Sequence, residues 1–213
     1  MKQINFWQEI KDNLDKHGSL ALAVVYSADH STPGRAGFKM FVTPGSNARG
    51  SVGGGKVEGM VIDECKELYN KSVKKNYFKE YKLLGESSDS IGMICNGVQI
   101  IGFVMLKNKD TAAIDKIIEA SNLHKESSLK ISEDTFEYSD QPVNVTGFDS
   151  KTGVYSERIG VRNRVYVFGG GHVGLAISKV MSQLDFKVIV IDYRKVVETL
   201  KDNKFADDII IDD

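Results

Sequence analysis

Apolar and polar positions follow two rhythms along the chain. Phe6, Trp7, Ile10 and Leu14 recur at helical spacing, which predicts a first helix from a cap at Asn5, with Gln8 as capping-box partner, to a stop at Gly18. Residues 20–27 form an unbroken apolar run and predict a buried strand. Residues 38–43 predict another strand, Pro44-Gly45-Ser46-Asn47 a turn, and residues 49–52 a short strand running into Gly53, Gly54 and Gly55. Helical spacing returns with Val57, Val61, Cys65, Leu68 and Ser72, so a helix is expected over 57–73. Strands are expected at 77–84 and 98–106, the second the most strand-like run in the chain. A helix over 112–123 turns Ile114, Ile117 and Ile118 inward and takes Asp110 or Thr111 as its cap. Residues 127–155, with turns around Pro142 and Gly147, read as a β meander.

The end of the chain has a different order. A strand at 164–168 meets Gly169-Gly170-Gly171-His172-Val173-Gly174, then a helical run, then a strand at 187–192 that finishes on Asp192. Strand, glycine turn, helix, strand and acidic end together open a Rossmann unit. The expected class is therefore α/β: an N-terminal α+β domain over residues 1–160, followed by a partial Rossmann-like parallel sheet over 161–213. After Asp192 there is room for one more short strand, so half of a cofactor fold is expected. The outer edge of its first strand, with Val165, Tyr166, Val167 and Phe168, then needs cover from a second copy, the N-terminal part or a separate polypeptide.

Composition narrows the classes. A chain of 213 residues suits one large or two small domains. Its net charge of -1 gives no drive towards nucleic acid or an anionic membrane, and no apolar run is long enough to cross a bilayer. Residues 1–16 mix Lys, Glu and Asp with Trp7, unlike a signal peptide. Cys65 and Cys95 make no disulfide scaffold, which suits a reduced, cytoplasmic protein. His17, His30, His124 and His172 match no zinc spacing.

Three segments carry candidate chemistry. In the tail, Gly169 permits the tight turn, Gly171 lets a pyrophosphate reach the backbone, and Gly174 lets the helix pack on the strand. His172 sits beside the phosphate position. Asp192 stands where a carboxylate holds the ribose hydroxyls of NAD, and Arg194 stands where a guanidinium meets the 2′-phosphate of NADP. A Rossmann-like unit that uses its glycines only for packing is the alternative. In the second segment, Gly50-Ser51-Val52-Gly53-Gly54-Gly55-Lys56 opens like a phosphate-binding loop, but Val57 replaces the metal-binding hydroxyl, so an anion site without nucleotide hydrolysis is the better fit. Ser31, Thr32 and Arg35 lie in a loop that could face it, the alternative being a tight connection beside a solvated arginine. In the third, Cys95 sits in the glycine-flanked loop Gly92-Met93-Ile94-Cys95-Asn96-Gly97, where metal ligand, nucleophile and inert core residue are all open readings. Cys65, on a helix stripe, reads as core.

Taken together and in this order, Ser31-Thr32-Pro33 with Arg35, Gly37-Phe38-Lys39-Met40, the Gly50 to Glu58 block, Gly92 to Cys95, and the Phe168 to Gly174 turn with Asp192-Tyr193-Arg194 resemble the XdhC/CoxI family of xanthine dehydrogenase accessory proteins. The resemblance implies binding of the molybdenum cofactor (molybdopterin), assistance in its maturation and its insertion into a molybdenum hydroxylase client such as xanthine dehydrogenase. A sulfur-donating desulfurase is a further expected partner; the lack of an obvious base–nucleophile set beside the pocket favours a chaperone-like carrier over a turnover enzyme, and the uncovered edge of the tail strand favours a homodimer. By that resemblance Cys95 becomes the metal-facing residue, with Ser31, Thr32, Arg35, Gly53, Gly54, Gly55 and Glu58 shaping the pocket. NAD or NADP would occupy Gly169, Gly171, His172, Gly174, Asp192 and Arg194. Lys56 stands where the family often has cysteine and Asn96 where it usually has a second glycine, so no thiol pair exists at these positions. An NAD(P)-dependent oxidoreductase is the rival reading from the tail.

Overall fold

A computed structural model describes residues 3–29, 31–70, 75–83, 97–161, 163–184 and 186–212. The chain divides into two compact units, one over residues 3–160 and the other over 161–213.

The first unit is built on one strand. β1 (Ser19–Ala28) lies at the centre of a five-stranded antiparallel sheet, flanked by β2 (Lys39–Val42) and β5 (Val98–Lys107), with β3 (Ala48–Gly50) and β4 (Tyr77–Lys82) at the edges. Its apolar run is continuous because both of its faces are covered. Leu20, Leu22, Val24 and Tyr26 face a core made with α1 (Gln3–His17) and α3 (Thr111–Leu123). Ala21, Ala23 and Val25 face a second core under α2 (Gly55–Asn70), with Val57, Val61, Cys65 and Leu68. The small alanines let α2 approach, and Tyr69 on that helix stitches it down: its hydroxyl donates to Val42 O at 2.7 Å and accepts the Ala21 N–H at 2.9 Å.

A four-stranded sheet closes the other face of the first core through Leu129, Ile131, Phe136, Tyr155 and Ile159. It contains β6 (Ser127–Ile131), β7 (Phe136–Ser139), β8 (Gly147–Asp149) and β9 (Val154–Ile159), in the order β7-β6-β9-β8. The expected meander is therefore two hairpins joined through β6 and β9. β9 alternates inward Tyr155, Glu157 and Ile159 with outward positions and pairs with both β6 and β8, so it lies inside this sheet rather than at its edge. The first helix begins at Gln3, which puts Asn5 inside it rather than at its cap.

Where the two sheets meet lies a buried charged cluster. Lys39 Nζ contacts Glu157 Oε1 at 2.5 Å and Gly37 O at 2.8 Å, and the Tyr155 hydroxyl donates to Glu157 Oε2 at 3.0 Å. Tyr155 in turn stacks on Tyr26 with ring centroids 4.5 Å apart.

The second unit is a three-stranded parallel sheet in the order β10-β11-β12, formed by β10 (Arg164–Phe168), β11 (Lys187–Asp192) and β12 (Asp208–Ile211). α4 (His172–Gln183) connects β10 to β11, and the short α5 (Glu198–Lys201) precedes β12. Its core is Val167, Val188, Val190 and Leu200. Among the described residues β10 pairs only with β11, and Tyr166 and Phe168 are exposed. The architecture is thus α/β with a parallel C-terminal sheet. No described helix is long and apolar enough to cross a membrane.

Candidate functional site

Glycines bring three separate stretches of the first unit into contact. A Cβ on Gly34 would collide with Val52 O and the Gln99 side chain, and one on Gly53 would lie 2.6 Å from Gly34 N. A Cβ on Gly97 would collide with Asp29 O and lie 2.6 Å from Thr32 Cγ2. The Ser31–Arg35 loop, the glycine turn before α2 and the start of β5 therefore form one backbone-to-backbone junction. Gly53, Gly54 and Gly55 all have positive φ (128°, 84° and 65°), a run that side-chain-bearing residues rarely adopt.

Within that junction the donors have different partners from those expected. Glu58, in the first turn of α2, folds its carboxylate back over the glycine turn. Its Oε1 accepts from Ser51 Oγ at 2.6 Å, Gly54 N at 2.9 Å and Val52 N at 3.3 Å, and Gly53 N donates to Ser51 Oγ at 3.1 Å. The amides expected to cradle a phosphate are held by the chain's own anion, which also complements the positive end of the helix. The correction is physical: a first-turn glutamate reaches these N–H groups without any ligand. Thr32 is buried, and its hydroxyl donates to Gly34 O at 3.1 Å. Arg35 is exposed and turns its Nη1 onto Thr32 O at 2.7 Å and Gly34 O at 3.3 Å, bracing its own loop rather than reaching the glycine turn. Ser31 is exposed at the loop's mouth.

Gln99 is a residue that reading the sequence did not single out. It is fully buried at the start of β5, where its Nε2 donates to Val52 O at 3.3 Å while its Oε1 has no hydrogen-bond partner among the described residues. The signal was a lone amide within a strongly apolar strand. Cys95, with the rest of the Gly92-Met-Ile block, lies outside the described residues. Cys65 is buried, and burial, then the neighbouring Glu64 charge, push its thiol up to about 12, as suits an inert core residue. Among the described residues no group of three or more His, Cys, Asp or Glu side chains could hold a metal ion.

The glycine turn of the second unit has a different economy of contacts. Gly169 has φ of 105° and bonds its N–H to Ile191 O at 2.8 Å. A Cβ on Gly174 would collide with Gly169 O and lie 3.6 Å from Val167 Cγ1, so the third glycine of the motif is needed for close helix–strand packing. Gly170 is equally constrained, because a Cβ there would strike Leu200. Gly171 differs: nothing lies within 4 Å of its Cβ position. It caps α4 without a side-chain cap, and the first-turn amides have no acceptor within the helix. His172 is exposed at that helix start. Open space beside amides that lack an acceptor among the described residues suits an anion such as a pyrophosphate.

Asp192 is already engaged. Its Oδ2 accepts from Gly170 N at 2.6 Å and Arg194 Nη2 at 2.8 Å; its Oδ1 accepts from Arg194 N at 2.9 Å and Arg194 Nε at 3.0 Å. The Arg194 fork, then the Gly170 amide, hold the carboxyl well below the usual carboxylate range. The sequence placed Asp192 on a ribose; the structure pairs it with Arg194.

The model of the XdhC and CoxI family matches residues 14–78, the span that holds both the Ser31–Arg35 loop and the turn capped by Glu58. Over that stretch the chain is similar to the XdhC and CoxI family. A crystal structure described as a xanthine dehydrogenase from Bacillus halodurans shares the fold of this chain. The similarity covers the whole of this chain and 68% of that one, with a TM-score of 0.63 and 14% identity. No curated protein sequence matches the chain.

Proposed function

We propose that this protein is an accessory factor of the xanthine dehydrogenase system, which binds molybdenum cofactor in its first unit and passes it to a molybdenum hydroxylase client. The similarity of residues 14–78 to the XdhC and CoxI family supports the accessory role. The observation that carries the reading to a site is the junction of the Thr32 loop, the Gly53 turn and the Gly97 end of β5. These are the loops that the family resemblance assigns to the cofactor, and Cys95 stands two positions before Gly97 in sequence.

The residues fit the group in part. The glycine amides are engaged by Glu58, so they do not form the anion cradle. The Ser31 hydroxyl and the N–H groups of Arg35 other than Nη1 are the donors suited to a phosphate at the mouth of the junction. The buried Gln99 Oε1, without a partner among the described residues, offers an acceptor at its floor. Cys95 supplies a soft sulfur ligand for molybdenum. When bound, the cofactor supplies the metal centre that a client hydroxylase uses; this chain's residues hold and shield it. A sulfur-donating desulfurase would act on the carried cofactor, and the working state is a homodimer.

The test is transfer. Protein purified from cells that make molybdopterin is mixed with a cofactor-free molybdenum hydroxylase, and hydroxylase activity is followed. Activation by wild type and its loss with Cys95→Ala supports insertion. No activation, from protein shown to carry pterin, overturns it.

A second ligand is supported by a separate observation. The open Cβ position of Gly171 beside the free first-turn amides of α4 suits a dinucleotide pyrophosphate on the second unit. Nucleotide binding there serves either regulation of the carrier or an NAD(P)-dependent oxidoreductase. Substrate-dependent oxidation of NADH by the purified protein separates the two.

A further inference from the structure

We infer that the second unit selects a ribose carrying a 2′-phosphate, and that Arg194 is the residue that makes the selection. The inference rests on the nucleotide reading of the Gly169 turn and goes beyond it by naming the ligand class.

A plain ribose is recognised when an acid at the end of the second strand accepts from its two hydroxyls. Asp192 has the right position but no acceptor capacity left. Each of its oxygens already accepts two hydrogen bonds, from Gly170 N and Arg194 Nη2 on Oδ2 and from Arg194 N and Nε on Oδ1. An ionised carboxylate offers about four acceptor sites, so the set is filled. To admit the diol, Asp192 would exchange a charge-assisted guanidinium fork for neutral hydroxyl donors, which are the weaker partners.

Arg194 has the opposite balance. Its Nε and one N–H of Nη2 face Asp192, while among the described residues both N–H groups of Nη1 and the second of Nη2 have no acceptor and remain for another. The Arg194 side chain is 48% exposed, whereas that of Asp192 is 1% exposed. The buried carboxylate thus serves as a strut that fixes the guanidinium with its outer edge towards solvent. Tyr193 lies 5.7 Å beneath the guanidinium carbon and holds its plane from another side. Lys195, also exposed, adds a second positive charge. A planar, fixed, half-exposed guanidinium is suited to phosphate, because its remaining N–H groups can pair with phosphate oxygens without displacing Asp192.

The experiment is calorimetric titration of the full chain with NADP+ and NAD+, repeated with adenosine 2′,5′-bisphosphate and adenosine 5′-monophosphate to isolate the ribose end. Wild type is expected to bind each 2′-phosphorylated ligand about tenfold or more tighter than its partner. Arg194→Ala frees Asp192 and removes the phosphate partner, so the ratio should fall to near one or invert. Arg194→Gln, which keeps most of the side-chain length, gives the same readout if the alanine variant does not fold. Equal or tighter binding of NAD+ by wild type overturns the inference and leaves the nucleotide reading intact. Failure of all four ligands to bind overturns both.

Discussion

Glu58 Oε1 lies 2.9 Å from the Gly54 amide and draws in Ser51 Oγ and Val52 N as well, so the helix expected to receive a phosphate is capped from within. Removing the cap should have two readable effects. Glu58→Ala is expected to lower stability by about 1–2 kcal/mol, with a smaller loss for Glu58→Gln, measured by urea denaturation. The freed amides should then respond to added inorganic phosphate, which raises the midpoint of the alanine variant more than that of wild type. Equal phosphate effects on both proteins would show that the turn does not bind anions even when vacated.

Lys39 and Glu157 join the two sheets of the first unit through a pair with side chains only 7% and 5% exposed. Lys39→Met leaves a carboxylate buried beside Tyr155 and is expected to cost about 3–5 kcal/mol. The double variant Lys39→Met with Glu157→Leu should recover most of that loss, because two apolar side chains leave no stranded charge. Urea denaturation of the four proteins in the cycle measures the coupling. A double variant as unstable as the sum of the singles would refute it.

Burial pushes the Cys65 thiol up to about 12, so it stays protonated and unreactive in the folded protein. In a Cys95→Ala background, a thiol reagent at pH 8 should leave Cys65 unmodified until denaturant is added. The sign of the linkage follows: an unfolded thiol ionises first, so the Cys65 contribution to stability falls as pH rises above about 8.5, the ordinary thiol value. Rapid modification of the native protein would contradict the buried placement.

The Asp192 carboxyl is depressed by Arg194 and the Gly170 amide, so the folded state gains from it above the ordinary carboxylate range and loses that gain as pH falls through it. Asp192→Asn should therefore be destabilising near neutral pH, and the gap to wild type should narrow below about pH 4. Denaturation of both proteins across that range checks the direction. A gap that widens on acidification would be the wrong sign.

What the sequence revealed divides along the distance between partners. β1 was legible because burial on both faces leaves an unbroken apolar run, and α2 because Val57, Val61, Cys65 and Leu68 repeat at its own period. The Gly169 turn was legible because its strand, turn and helix are contiguous. The pairing of β6 with β9 was not, since two hairpins and a meander share the same local pattern and differ only in a long-range contact. The same holds at the sites. Ser31, Arg35 and the Gly53 turn were recognisable as chemistry-bearing types, but which donor meets which acceptor depends on side-chain reach. Glu58 and Arg194 both look available in sequence, and both are held by partners only a few residues away. Gln99 and the Gly170–Leu200 contact draw their meaning from neighbours far along the chain.

Pterin content tests the central proposal most directly. The protein is purified from cells with and without molybdopterin synthesis, and the pterin released on oxidation is quantified per chain by fluorescence. Binding at the Thr32–Gly53–Gly97 junction is expected to give near-stoichiometric pterin only when the cofactor is made, with several-fold less in Arg35→Ala and Cys95→Ala. A folded wild-type protein that carries no pterin under either condition would contradict it.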